Sequence, residues 1–358
     1  MRLSVVVTRG DDGSTATYTH DYSDNCGGVT LYPTDPVPLS SLLHPGGNNV
    51  RVTMNDACGE SVGNSDLFLV GNARMSVGTY TPFLPRYVAM GDSFASGEGT
   101  PPYDFVSDRD GCHRSTRAGA VQFAAAPEYG PGVLDIRHVA CSGARLTNIY
   151  NGQNGELPQT TSLDRSTGLV SISIGGNDLG FSSVLTYCAA QYQLGKKCAG
   201  DLDGRMQQYL RALDTPRSDL FGFTPLQYAY RTIHVRAPRA KVLVVGYPRL
   251  FSEAGARPSC NSIGTSDQLW INSVLGQGNA IIRRNAEAAG ATYVDLASPG
   301  VPGSFAGHGL CDSAVNYLNN IILSRKIVAK ESFHPNLAGQ QAIARALREG
   351  YRKALASG

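Results

Sequence analysis

Four short stretches of this 358-residue chain place chemically useful groups just beyond apolar runs. Ser93 follows "YVAMGD", Gly143 follows "IRHVACS", Asn177 follows "GLVSISIGG", and His334 stands in "ESFHPNLAG". A serine hydroxyl is a weak nucleophile until a neighbouring base takes its proton, and histidine is the side chain whose pKa suits that work near neutrality. Attack on an acyl carbon then puts negative charge on the former carbonyl oxygen, which fixed hydrogen-bond donors stabilise. The backbone N–H groups of Ser93 and Gly143 and the side-chain amide of Asn177 are candidates for that oxyanion hole. The set reads as acyl transfer. An isolated Gly-Asp-Ser is explained as well by a helix cap, and it is the company of the other three groups that favours chemistry.

The elements that must position these groups alternate between strand and helix from Arg86 onward. Strands are expected at 87–90, 136–140, 168–175, 241–247 and 292–296, each a continuous apolar run of the kind buried on both faces. Amphipathic helices fit 266–288 and 335–354, with Pro335 suited to a first helical turn. Alternating β and α segments give a parallel sheet wrapped by helices, whose ligands bind at the carboxyl ends of the strands. Loops 100–118 and 178–200 are the expected walls of a substrate pocket.

Residues 1–80 differ. Short β-rich runs at "LSVVV", "ATYTHDY", "VTLYP", "NNVRVTM" and "DLFLV", separated by turn residues, have the spacing of a small all-β sandwich. Four arginines stand there against eight acids, so this part is net −4 and the rest +6. Residues 81–86, with Pro82 and Pro85, form the linker to a catalytic domain at 87–358.

With a net charge of +2 and 42% hydrophobic residues, the chain is globular and offers no basic tract for nucleic acid. No apolar run approaches the roughly 18 residues of a transmembrane segment. The first 25 residues lack the profile of a signal peptide, so the sequence reads as a mature form. Eight cysteines, at 26, 58, 112, 141, 188, 198, 260 and 311, contain no C-x-x-C pair and point to disulfides and a secreted, extracellular setting. Pairing neighbours gives Cys26 with Cys58, Cys112 with Cys141, Cys188 with Cys198 and Cys260 with Cys311, one of 105 possible connectivities. No metalloprotease, P-loop or dinucleotide motif appears, and His308 beside Cys311 lacks the second cluster of a tetrahedral metal site. The acidic stretch "NDACGESVGNSD" matches no calcium loop. No metal or cofactor is expected.

Taken in order, "GDSFASGEG", the Gly143 of "CSGAR", "GGND" and "HPN" resemble the SGNH hydrolase superfamily, the GDSL esterases and lipases, over roughly residues 86–354. The long first block, the cysteines and "GYP" after the fourth strand are similar to secreted actinobacterial esterases and phospholipases of that superfamily. The resemblance implies a flavodoxin-like three-layer α/β/α sandwich, Ser93 as nucleophile, His334 as base, no metal, and hydrolysis of carboxylic esters. The family's usual triad has Asp three residues before the histidine, where this chain has Glu331. Glu331 can orient the imidazole, or a main-chain carbonyl does so, as in some relatives. Asp295 is a weaker candidate, since an acid at a strand end is often a turn residue. A secreted esterase or lipase acting on small acyl esters or lipids is the leading expectation. A carbohydrate deacetylase or acyltransferase with the same groups is a second, and a non-catalytic cell-wall or polysaccharide-binding protein a third, with the first domain as the polysaccharide contact.

Overall fold

Tyr87, Val88, Ala89 and Met90 are all fully buried in the computed structural model, as a strand covered on both faces must be. The structure describes residues 2–9, 15–21, 48–55, 86–125, 135–252, 259–312, 315–324 and 327–356. Two compact units divide the chain, Met1–Val77 and Gly78–Gly358.

In the first unit β1 (Arg2–Arg9), β2 (Thr15–Asp21) and β3 (Asn48–Asn55) form an antiparallel sheet in the order β2-β1-β3. Val5 of β1 lies opposite Tyr18 on one side and Val52 on the other. The β-rich runs at 29–33 and 66–70 and the cysteines 26 and 58 lie outside the described residues.

The second unit continues with β4 (Arg86–Gly91), α1 (Ser93–Ser96), α2 (Phe105–Asp110), α3 (Gly119–Ala125), β5 (Ile136–His138), β6 (Thr167–Ser173), α4 (Phe181–Gln193), α5 (Ala199–Asp214) and α6 (Pro225–Arg236). After β7 (Lys241–Val245) come the short β8 (Ser259–Cys260) and β9 (Ile263–Gly264), α7 (Thr265–Ala288), β10 (Thr292–Val294), the paired β11 (Leu323–Ser324) and β12 (Ile327–Val328), and α8 (Leu337–Ala356). Five strands form one parallel sheet in the order β10-β7-β6-β4-β5. The fold is α/β. Helices α3 and α8 pack together and α8 lies on β7 and β10, while α5, α6 and α7 form a second packed group.

The strands β5, β6, β7 and β10 end before their sequence patterns do, and α8 starts after its own; β7 and α8 show why. β7 stops at Val245 because the side chain of Asn279, from α7, takes over the backbone of Tyr247, accepting from its N–H at 2.9 Å and donating to its carbonyl at 2.7 Å. Pro335 is not in the first turn of α8: it bridges to Leu318, and Asn336 caps the helix by accepting from the Gly339 N–H at 3.1 Å. Buried Ile343, Leu347, Gly350 and Ala354 mark the inner face of α8 at helical spacing. Disulfides join Cys112 to Cys141, Cys188 to Cys198 and Cys260 to Cys311.

Candidate active site

The strand β4 delivers its last residue into a tightly held turn. Gly91 has φ +124°, and a Cβ there would lie 2.2 Å from the Ser173 carbonyl oxygen, so only glycine fits. The side chain of Gln159, buried beneath it, accepts from the Gly91 N–H at 2.7 Å and donates to the Gly91 carbonyl at 2.9 Å. Asp92 then caps the one-turn helix α1 by accepting from the Phe94 N–H at 3.1 Å, and Ser93 is its first residue. The other Asp92 oxygen accepts from the Tyr247 hydroxyl, which itself accepts from the Gly176 N–H at 2.9 Å. One carboxyl thereby ties the serine turn to the loop that carries Asn177. Burial pushes the Asp92 pKa from 3.8 to about 7, against the hydrogen bonds from Tyr247 and Phe94 and with the help of the Asp178 charge.

His334 arrives from the far end of the chain. Its Nε2 lies 2.8 Å from the Ser93 Oγ and its Nδ1 3.2 Å from the Ser332 main-chain carbonyl. A ring that donates from Nδ1 to a carbonyl presents a bare Nε2 lone pair to the serine, the tautomer a base requires. The turn that allows this runs through Phe333, whose φ of +66° is left-handed. For a bulky residue that conformation costs on the order of 1 kcal/mol. Asn319 holds the turn on both sides, accepting from the Phe333 N–H at 3.0 Å and donating its own N–H to the His334 carbonyl at 2.8 Å. Burial pushes the His334 pKa below 6.5, opposed first by the Glu98 charge, then by the Lys330 and Ser332 carbonyls, then by the Glu331 charge.

Ser93, Asn177 and His334 line one cleft of about 730 Å³ measured out to open solvent. Its walls are mainly apolar, with Phe94, Phe181, Leu185, Leu250, Leu275 and Phe333, beside Ser182, Thr186 and Lys330. Segment 178–200 therefore supplies a wall as expected, but no residue of 100–118 lines the cleft; the Cys112–Cys141 bridge ties that loop to the end of β5 instead. The N–H groups of Ser93 and Gly143 find no acceptor among the described residues. Asn177 spends one amide proton on the Ala144 carbonyl at 2.9 Å, which fixes it beside the Gly143 loop and leaves a second proton.

The family model described as "GDSL-like Lipase/Acylhydrolase family" matches residues 89–342, from the strand before Ser93 to the helix after His334. The chain belongs to this family. It is 35% identical over 261 residues to Lipase 1 of Streptomyces coelicolor, covering 71% of this chain and 82% of that one. Its fold is similar to that of phospholipase A1 from Streptomyces albidoflavus (TM-score 0.57, 29% identity, 76% of this chain and 99% of the other). The same holds for the extracellular lipase of Streptomyces rimosus (TM-score 0.57, 30% identity, 76% and 99%). This GDSL hydrolase is accordingly a carboxylic ester hydrolase of the SGNH superfamily.

Not every candidate residue of the hydrolase falls into place. The Glu331 carboxylate makes no hydrogen bond to the His334 ring; the Ser332 carbonyl occupies Nδ1 instead. Asp295 pairs with Arg283 at 2.9 Å and caps the turn at Ala297 and Ser298, a turn residue only. His308 stacks on Tyr317 and directs Nδ1 to the Val315 carbonyl. Sequence reasoning missed Gln159, Tyr247, Ser332 and Asn319. Of these only Tyr247, in "GYP" just past a strand, carried a signal.

Proposed function

We propose that the protein is a secreted serine esterase or lipase that hydrolyses acyl esters through an acyl-enzyme on Ser93. His334 Nε2 takes the hydroxyl proton as Oγ attacks the acyl carbon, and the charge that develops on the carbonyl oxygen is met by the N–H groups of Ser93 and Gly143 and the amide of Asn177. The imidazolium then gives its proton to the departing alkoxide. Water repeats the sequence, losing a proton to His334 and releasing the acid and free Ser93. The Ser332 carbonyl performs the orienting part of a triad carboxylate, so the reacting unit is a dyad.

The observation that carries this reading is the pair of contacts on one ring, 2.8 Å from Nε2 to Ser93 Oγ and 3.2 Å from Nδ1 to the Ser332 carbonyl. The apolar cleft walls favour an alkyl acyl group over an acetylated sugar. The three disulfides among the described residues support export to an oxidising compartment. Residues 1–80 are read as an accessory β-sandwich domain, joined by 81–86 to the hydrolase at 87–358.

The test is labelling with a fluorophosphonate followed by peptide mass spectrometry. An adduct on Ser93 that is absent in His334→Ala, with turnover of p-nitrophenyl esters abolished in Ser93→Ala, is the expected result. Unlabelled folded protein, or a Ser93→Ala variant that still turns over, refutes the assignment.

A further inference from the structure

The dyad leaves the imidazolium without a carboxylate in contact, yet the site contains a buried carboxylate that the mechanism above does not use. Glu98 is fully buried in the loop that follows Ser93, with its own N–H donating to the Ser93 carbonyl at 3.1 Å. Three side-chain donors surround it: Ser142 Oγ at 2.8 Å, His113 Nδ1 at 2.7 Å and the Tyr103 hydroxyl at 3.0 Å. A carboxyl that accepts three hydrogen bonds is ionised. Its neighbour Gly99 lies directly against the histidine: a Cβ on Gly99 would stand 3.2 Å from the His334 Cβ and 2.6 Å from the Asn319 amide nitrogen.

We propose that Glu98 is a positioning residue that supplies the negative charge for the His334 imidazolium across a gap, while its bond to Ser142 fixes the strand end that presents Gly143. It rests on the reading of Ser93 and His334 as the reacting pair. The charge assists when the proton sits on Nε2, so it acts on the transition state more than on the resting enzyme. Two carboxyl functions that a triad combines in one residue are divided here, orientation going to the Ser332 carbonyl and charge to Glu98. Burial pushes the Glu98 pKa up, but the Ser142 bond and the His334 and His113 charges outweigh it and hold the carboxyl below 4.5. The other titratable groups around His334 are Glu331 and Lys330 from its own segment and Asp92 and Tyr247 from the cleft wall; those around Glu98 are Tyr103 and His113.

The experiment follows kcat/KM against pH for a p-nitrophenyl ester in the wild type, Glu98→Gln, Glu98→Ala and Glu331→Gln. Loss of the Glu98 charge lets His334 release its proton more readily, so both neutral variants at residue 98 move the acid limb down by about one pH unit and lower plateau kcat about tenfold. Glu331→Gln moves the limb by less than about a third as much. An acid limb unchanged in a folded neutral variant overturns the proposal. So does failure of both neutral variants to fold, which assigns Glu98 a purely structural part. Either failure is distinct from failure of the dyad itself, which shows already in the wild type as an unlabelled Ser93.

Discussion

Asp92 makes the stability of this hydrolase depend on pH in a direction opposite to that of most carboxylates. Its pKa lies near 3.8 in an unfolded chain and at about 7 in the folded one, so between those values the folded state keeps a proton that the unfolded state has lost. Stability therefore falls as pH rises through that window. At 1.36 kcal/mol per pH unit, the fall attributable to Asp92 is about 4 kcal/mol between pH 4 and pH 7. Asp92→Asn removes it. The asparagine oxygen still accepts from the Phe94 N–H, and the Tyr247 hydroxyl proton can turn to the buried Ser173 Oγ beside it. Asp178, whose pKa burial raises to about 6, titrates in both proteins and drops out of the difference. Urea denaturation followed by the fluorescence of the single tryptophan, Trp270, measures both proteins from pH 4.5 to pH 8. The variant's advantage should grow by several kcal/mol across that range. A difference that stays constant with pH refutes the placement of a buried, protonated carboxyl beneath the nucleophile.

Three further outcomes follow from the geometry of the site. Asn177→Ala removes a donor aimed into the cleft, and steady-state kinetics should show kcat lower by about 10²–10³ with KM little changed. Replacing Cys112 and Cys141 by serine together opens the loop closed by a bridge across 29 residues; chemical denaturation should show a loss of about 3–4 kcal/mol by the chain-entropy relation. Leu185→Trp narrows the apolar cleft from the α4 side. A p-nitrophenyl ester series should then keep short acyl chains and lose long ones by about tenfold or more.

What the sequence disclosed of the site was its side chains. Ser93, Asn177 and His334, which line one cleft, and Gly143, which does not line it, were each picked out from short motifs near apolar runs, and apolar runs survive as strands because burial enforces them. The sequence left Glu331 and a main-chain carbonyl both open for a physical reason: spacing along a chain does not set the direction of a side chain across a turn. The left-handed Phe333 swings the Ser332 carbonyl, not the carboxylate, onto the ring. A carbonyl belongs to every residue, so nothing in the composition of "ESFHPN" marks it. Glu98 was visible within "GDSFASGEG", but its donors come from residues 103, 113 and 142, and only the fold brings them there. The strand boundaries were blurred for a similar reason, since Asn279 reaches in from another element to end β7.

The hydrogen bond between Ser93 and His334 spans 241 residues. On the mechanism proposed above, a polypeptide interrupted anywhere before its last two dozen residues carries a nucleophile with no base, however well its first strands have formed. Hydrolysis becomes a readout of completion, since the two groups of the proposed dyad stand near opposite sequence ends of the α/β unit. While the chain is still being made, the esters around it meet an unarmed serine.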